Sequence, residues 1–144
     1  MALITGLDHV NIRTADLKAT TALFCDVLGL SAGWRPPFPF PGAWLYAGDK
    51  DVVHLVEVEQ AAAASAGAAL DHFAFDVSDY DEALARVEAT GLSFRTTATP
   101  GTSVRQIFVR DPNGVTIELN WKGASPRGDQ ASAPEGQRRS ARGA

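Results

Sequence analysis

The segment LDHVNI at residues 7–12 returns 63 residues later as LDHFAF at residues 70–75, and this repetition decides how the rest of the chain divides. Behind each copy runs a helical stretch. The first spans Ala15 to Leu28 and is closed by Gly29; the second spans Asp79 to Thr90 and is closed by Gly91, glycines being suited to the turn that ends a helix. Asp16 in the first half, and either Ser78 or Asp79 in the second, are the expected N-caps. Further on, WLYAGDKDVVHL (44–55) lies over FVRDPNGVTIEL (108–119), each a strand, a tight turn and a strand. Each half is therefore a strand, a helix and about three strands. The expected fold is α+β, built from two βαβββ modules at residues 1–59 and 70–122. The alanine-rich stretch 60–69 between them is expected to be a linker, because Ser65 and Gly67 interrupt its helical character.

Composition sets the outer limits. The chain has 144 residues, 45% hydrophobic and 21% charged, which suits one domain-sized unit with a sizeable core. A single cysteine, Cys25, excludes an intramolecular disulfide framework and a thiolate zinc cluster, and suits a reducing cytoplasm. Any metal must then be held by His, Asp or Glu. No apolar run approaches the roughly 18 residues of a membrane span, and the short Met1–Ile4 start lacks the charged and apolar regions expected of a signal peptide. Residues 123–144 contain no aromatic residue and, prolines aside, no aliphatic residue larger than alanine, and are expected to stay disordered. That tail carries +2 of the net charge of −4, so the body carries −6. An acidic body argues against a nucleic-acid partner.

Side chains alternate along a strand, so Val10 and Ile12 share one face while His9, Asn11 and Arg13 share the other. In the second half Phe73, Phe75 and Val77 take the core face, opposite His72, Ala74 and Asp76. The later strands set Val53 and Leu55 against His54, and Val115, Ile117 and Leu119 against Glu118. The repeat pairs His9 with His72 and His54 with Glu118, so all three histidines of the chain fall on repeat-related positions. Four ligand-type side chains are expected to meet across a pseudo-twofold axis. Imidazoles with one carboxylate suit a first-row divalent metal, and two His plus one carboxylate with open positions is the facial arrangement of non-heme Fe(II) oxygenases. Glu118, among apolar neighbours, is expected to be partly buried and to need a partner.

With these residues in place the sequence resembles the vicinal oxygen chelate superfamily, which includes glyoxalase I, extradiol dioxygenases, fosfomycin-resistance thiol transferases and methylmalonyl-CoA epimerase. The resemblance covers Leu3 to Trp121 and is carried by LDHVNI, FCDVLGL, LDHFAFDV and FVRDPNGVTIELNW. It implies paired modules forming a cup-shaped mixed sheet, with a divalent metal held by His9, His72 and Glu118 and chelated by two substrate oxygens. It also implies a homodimer in many members, in several of which His9 and His54 of one chain would meet His72 and Glu118 of the other.

His54 discriminates between reactions. Bacterial glyoxalase I usually has a carboxylate ligand there, whereas extradiol dioxygenases have a histidine that handles the catechol proton beside Fe(II). A histidine suits that task because its ordinary pKa of about 6.5 lets it take and return a proton near neutral pH. Asn11 resembles an asparagine that some of these dioxygenases carry beside the oxygen site. Phe108 departs from their tyrosine, and Gln106 on the same face is the available substitute donor. The leading expectation is an Fe(II) extradiol-type dioxygenase acting on a small catechol-like compound. The alternatives are a glyoxalase-type lyase or isomerase, or a thiol transferase, using Ni, Co, Mn or Zn, and a metal-free drug-binding protein.

The stretch WRPPFPFPG (34–42) cannot be a central strand, since proline donates no ladder hydrogen bond. It is expected to be a stiff connection whose Trp34, Phe38 and Phe40 wall a planar substrate, with Arg35 available to a carboxylate. Trp44 and Trp121 are taken as packing residues, and Arg105 and Arg110 as solvated strand charges.

Overall fold

Asp16 accepts the backbone N–H of Ala19 at 2.9 Å and Asp79 that of Glu82 at 3.0 Å, so each half starts its helix with the same device. The computed structural model describes residues 1–123, so the expected tail lies outside the described residues except for Gly123. The first half is β1 (Val10–Thr14), α1 (Leu17–Ala22), β2 (Ser31–Gly33), β3 (Gly42–Ala47) and β4 (Lys50–Glu57). The second half is β5 (His72–Asp76), α2 (Tyr80–Ala89), β6 (Phe94–Ala98), β7 (Arg105–Arg110) and β8 (Thr116–Trp121). Gly91 ends α2 at φ +70°, a conformation that a residue with a Cβ adopts only under strain. The first helix departs from expectation. After Ala22 it widens into a π-helical turn, Leu23–Val27, before Gly29 turns the chain back.

The strands form two four-stranded mixed sheets in matching order, β1-β4-β3-β2 and β5-β8-β7-β6. In each, the opening strand runs parallel to the last strand of its half, and the others are antiparallel. This is the expected α+β fold of two βαβββ halves. The alternation settles which face is buried: Ile12, Leu45, Val53 and Leu55 from the first sheet and Ile107, Val109, Ile117 and Leu119 from the second are all nearly inaccessible. Each such side chain withdrawn from water contributes about 1.5–3 kcal/mol.

Among the described residues no strand of one sheet pairs with a strand of the other. The halves are joined through their core side instead. Phe24, in the π-helical turn, meets Phe75 of β5 edge-on at 6.5 Å. Asn113 in the β7–β8 turn donates from Nδ2 to the buried Thr20 hydroxyl at 3.0 Å, and Arg86 donates to the carbonyl of Val27 at 3.3 Å. Residues 60–69 form neither helix nor strand, and Ser65 ties them down. Its hydroxyl accepts the N–H of Thr116 at 2.8 Å and donates to the carbonyl of Asp71 at 2.7 Å.

Asp71 completes this tether by accepting the N–H of Gly67 at 2.6 Å, and that bond, with a second from His72, holds its carboxyl below the ordinary carboxylate pKa. A carboxyl lowered on folding adds stability that is full above the unfolded value of about 3.9 and is lost as pH falls through the lowered folded value. The wild-type advantage over Asp71→Asn in urea unfolding is therefore expected at pH 7 and should fade by about pH 3. An advantage that persists unchanged in acid would show that the ionised carboxylate is not the source.

Candidate active site

The two sheets present matching rows on the face away from the core. In the first, Asn11, His54 and Trp44 lie side by side on β1, β4 and β3. In the second, Ala74, Glu118, Phe108 and Arg95 lie side by side on β5, β8, β7 and β6. His54 and Glu118 thus stand at the same row of the two ladders, with Trp44 and Phe108 as their equivalent neighbours.

In the first half three rings stack. His54 lies on Trp44 with centroids 4.0 Å apart and planes within 4°, and His9 lies on His54 at 3.8 Å and 16°. His54 is buried, and its Nε2 faces Asp51 Oδ2 at 2.6 Å. Asp51 should not reach it. Residues three apart on a regular strand point to opposite faces, but the β3–β4 register slips between Leu45 and Tyr46, pairing Leu45 with Val53 and Tyr46 with Asp51. Val52 is left over as a bulge, and the bulge brings Asp51 to the His54 side. The hydrogen bond from His54 holds the Asp51 carboxyl below its ordinary pKa. With Asp51 accepting at Nε2, the basic nitrogen of a neutral His54 is Nδ1.

In the second half His72 Nε2 faces Glu118 Oε2 at 3.0 Å. The far side of each group is occupied: His72 Nδ1 by Asp71 at 2.7 Å, and Glu118 Oε1 by the Gln106 amide, which donates at 2.6 Å. Gln106 is itself held through its carbonyl oxygen, which accepts from Thr97 at 2.8 Å. Glu118 is buried, as expected of a carboxylate with partners. Gln106 orients it. His9 repeats the pattern of His72, its Nδ1 facing Asp8 at 2.6 Å. Both histidines therefore keep Nε2 for another partner, the arrangement in which a carboxylate sets the orientation and basicity of a metal-binding imidazole.

Within this one chain the four ligand-type residues stand as two pairs. His9 and His54 form one pair and His72 and Glu118 another, and among the described residues no three His, Cys, Asp or Glu side chains converge on one point. The reason lies in the packing: the halves join through Phe24, Phe75, Thr20 and Asn113 on their core side, and their outer faces are not brought together edge to edge. Imidazole and carboxylate donors of this kind are chemically suited to a divalent metal.

Phe108 meets His72 edge-on at 5.4 Å, and the Arg95 guanidinium lies 3.9 Å from the centre of the Phe108 ring. Asn11, Arg35, Phe38, Phe40, Trp44 and His54 line a cleft of about 140 Å³. Trp34 stands beside Trp44 at 6.0 Å and is largely exposed. A larger hollow of about 390 Å³ lies where Leu28 and Leu30 meet Phe75 and Ala83, on the core side, and holds no histidine. Trp44 is not merely a packing residue, since it carries His54 on its face. Arg105 stacks on Tyr80 at 3.6 Å.

Sequence reasoning missed Asp8, Asp71, Trp44, Asp51 and Arg95. The first three had a signal: both histidines follow an aspartate, and Trp44 lies ten residues before His54 as Phe108 lies ten before Glu118. Asp51 had none, because alternation places it on the wrong face. Among the described residues no helix is long and apolar enough to cross a membrane.

Comparison with known proteins agrees with this fold. A protein of Escherichia coli strain K12, named as uncharacterized protein YaeR, is 27% identical over 122 residues, covering 77% of this chain and 92% of that one. Among solved structures, a glyoxalase family protein from Bacillus anthracis superposes with a TM-score of 0.70 at 23% identity, covering 85% of this chain and 98% of that one. The fosfomycin resistance protein FosX from Listeria monocytogenes superposes at 0.69 and 19% identity, covering 87% and 99%. Lactoylglutathione lyase from Agrobacterium tumefaciens does so at 0.62 and 21%, covering 83% and 96%. At these identities the structures establish a shared fold. The model of one family matches residues 6–119, both βαβββ halves and all three histidines included, and the chain belongs to the Glyoxalase/Bleomycin resistance protein/Dioxygenase superfamily.

Proposed function

We propose that this protein is a metal-dependent enzyme of the Fe(II) extradiol-dioxygenase type, acting on a small catechol-like compound, with each site assembled from two copies of the chain. The observation that carries the reading is the division of labour among the histidines. His9 and His72 each hold Nδ1 against the aspartate that precedes them and turn Nε2 away from it, that of His72 toward Glu118, while His54 has Nε2 taken by Asp51. His9, His72 and Glu118 are then the metal-holding groups, two imidazoles and a carboxylate suited to Fe(II). When bound, the metal supplies Lewis acidity and one-electron chemistry toward dioxygen.

The chain's own residues do the rest. His54 accepts the substrate hydroxyl proton at Nδ1 and later returns it, and Asp51 fixes the tautomer that leaves Nδ1 basic. Trp44 and His9 hold the ring between them, so the proton-accepting edge is aimed by stacking. Asn11 lies beside His54 on β1, positioned to hydrogen-bond a substrate oxygen. Phe38, Phe40 and Trp44 give the cleft flat apolar walls, with the exposed Trp34 beside Trp44. A second copy is favoured by the split ligand pairs, by the open edges of β1 and β5, and by exposed Leu3, Ile4, Leu7 and Leu70 beside those edges.

Oxygen uptake by protein loaded anaerobically with Fe(II) tests this across a catechol panel. Uptake with at least one member is expected, falling about 10²–10⁴-fold in His54→Ala while the variant still binds metal. No uptake with any catechol would sink the oxygenase assignment, and metal loss in His54→Ala would make His54 a ligand. Turnover sustained by Ni or Zn in place of Fe would favour lyase or isomerase chemistry.

A further inference from the structure

We infer that the substrate of this cup carries a carboxylate, and that Arg35 is the residue that binds it. The inference rests on the reading of the His54 face as a substrate site and adds the chemical class of what enters. The Arg35 guanidinium belongs to the same cleft as Asn11, His54 and Trp44. It is held rigidly there. Its Cζ lies 5.0 Å from the ring centres of both Phe38 and Phe40, which are themselves stacked at 5.2 Å, and its Nη2 donates to the carbonyl of Phe40 at 3.0 Å. Gly42 leaves the room: a Cβ there would fall 2.9 Å from Nη2, 3.2 Å from Cζ and 2.2 Å from the carbonyl oxygen of Leu55.

A cation placed with this care has no counter-charge. Among the described residues no carboxylate forms an ion pair with Arg35, although the body of the chain is acidic. Its Nε–H is buried and without an acceptor. A buried donor on a charged group is costly to leave unpaired, and the aromatic faces offset the charge without accepting that hydrogen bond. A carboxylate entering the cleft supplies the missing negative charge, in the planar form that a guanidinium matches. The flat walls of Phe38, Phe40 and Trp44 favour a planar body attached to it. Arg35 is thus a specificity-determining residue of the cleft.

Benzoate is the test ligand, because it has the carboxylate and ring but no vicinal oxygen pair, so its binding does not depend on metal or on oxygen chemistry. Metal-free, ¹⁵N-labelled protein is titrated with benzoate and, in parallel, with benzyl alcohol, and the assigned Arg35 Nε–H signal is followed by NMR. A saturable shift with benzoate and none with the alcohol is expected. In Arg35→Gln, tryptophan fluorescence should report benzoate affinity at least about tenfold weaker. Equal responses to the two ligands, or an unmoved Arg35 signal, would overturn the inference even if catechol oxidation were found. Should Arg35→Gln fail to fold, the wild-type titration decides alone.

Discussion

Mixing two inactive variants, His9→Ala and His72→Ala, is expected to restore metal binding and turnover. Each variant alone should lose both, because each removes one of three metal-holding groups. If a site takes His9 from one copy and His72 and Glu118 from another, a mixed dimer has one site with both substitutions and one with neither. Half of the dimers in an equilibrated mixture are mixed, so about a quarter of wild-type sites return. The measurement is bound Fe(II) or Co(II) per chain after co-refolding, with oxygen uptake as a second readout. A site built within one chain gives no recovery at any ratio. The expectation follows from the pairing of His9 with His54 and of His72 with Glu118 in separate places on the monomer.

Phe24→Ala is expected to cost about 3–5 kcal/mol, since truncating a buried aromatic forfeits its transfer free energy and leaves a cavity. Phe24 is fully buried and reaches across to Phe75, so the cavity opens at the junction of the two halves. In a chain of this size that loss lowers Tm by roughly 10–15 °C. Phe94→Ala, at a partly exposed ring, should cost under about 1 kcal/mol. Urea and thermal unfolding check both. Comparable losses for the two would mean that the halves are not held together through Phe24.

Much of the fold was legible because its determinants are local and occur twice. The caps Asp16 and Asp79, the closing Gly29 and Gly91, and the alternation that buries Val53, Leu55, Ile117 and Leu119 act within a few residues of each other. The equivalence of His54 and Glu118 followed from the same repeat. The widening of the first helix at Leu23 was not legible, and neither was the bulge at Val52. Both are register choices that local propensity leaves open and packing against the rest of the half decides.

By itself the sequence determined which residues are chemically equipped: a repeat of LDH, three histidines on one side of two sheets, and a glutamate at the matching row. Alternation and spacing suffice for that, since they depend on backbone geometry alone. Tertiary structure decided who meets whom. It turned Asp51 toward His54, laid Trp44 beneath it, fixed Arg35 beside two stacked phenylalanines, and kept the two ligand pairs apart. The physical reason is that these outcomes depend on contacts between distant segments, such as Thr20 with Asn113, whose geometry no run of neighbouring residues specifies.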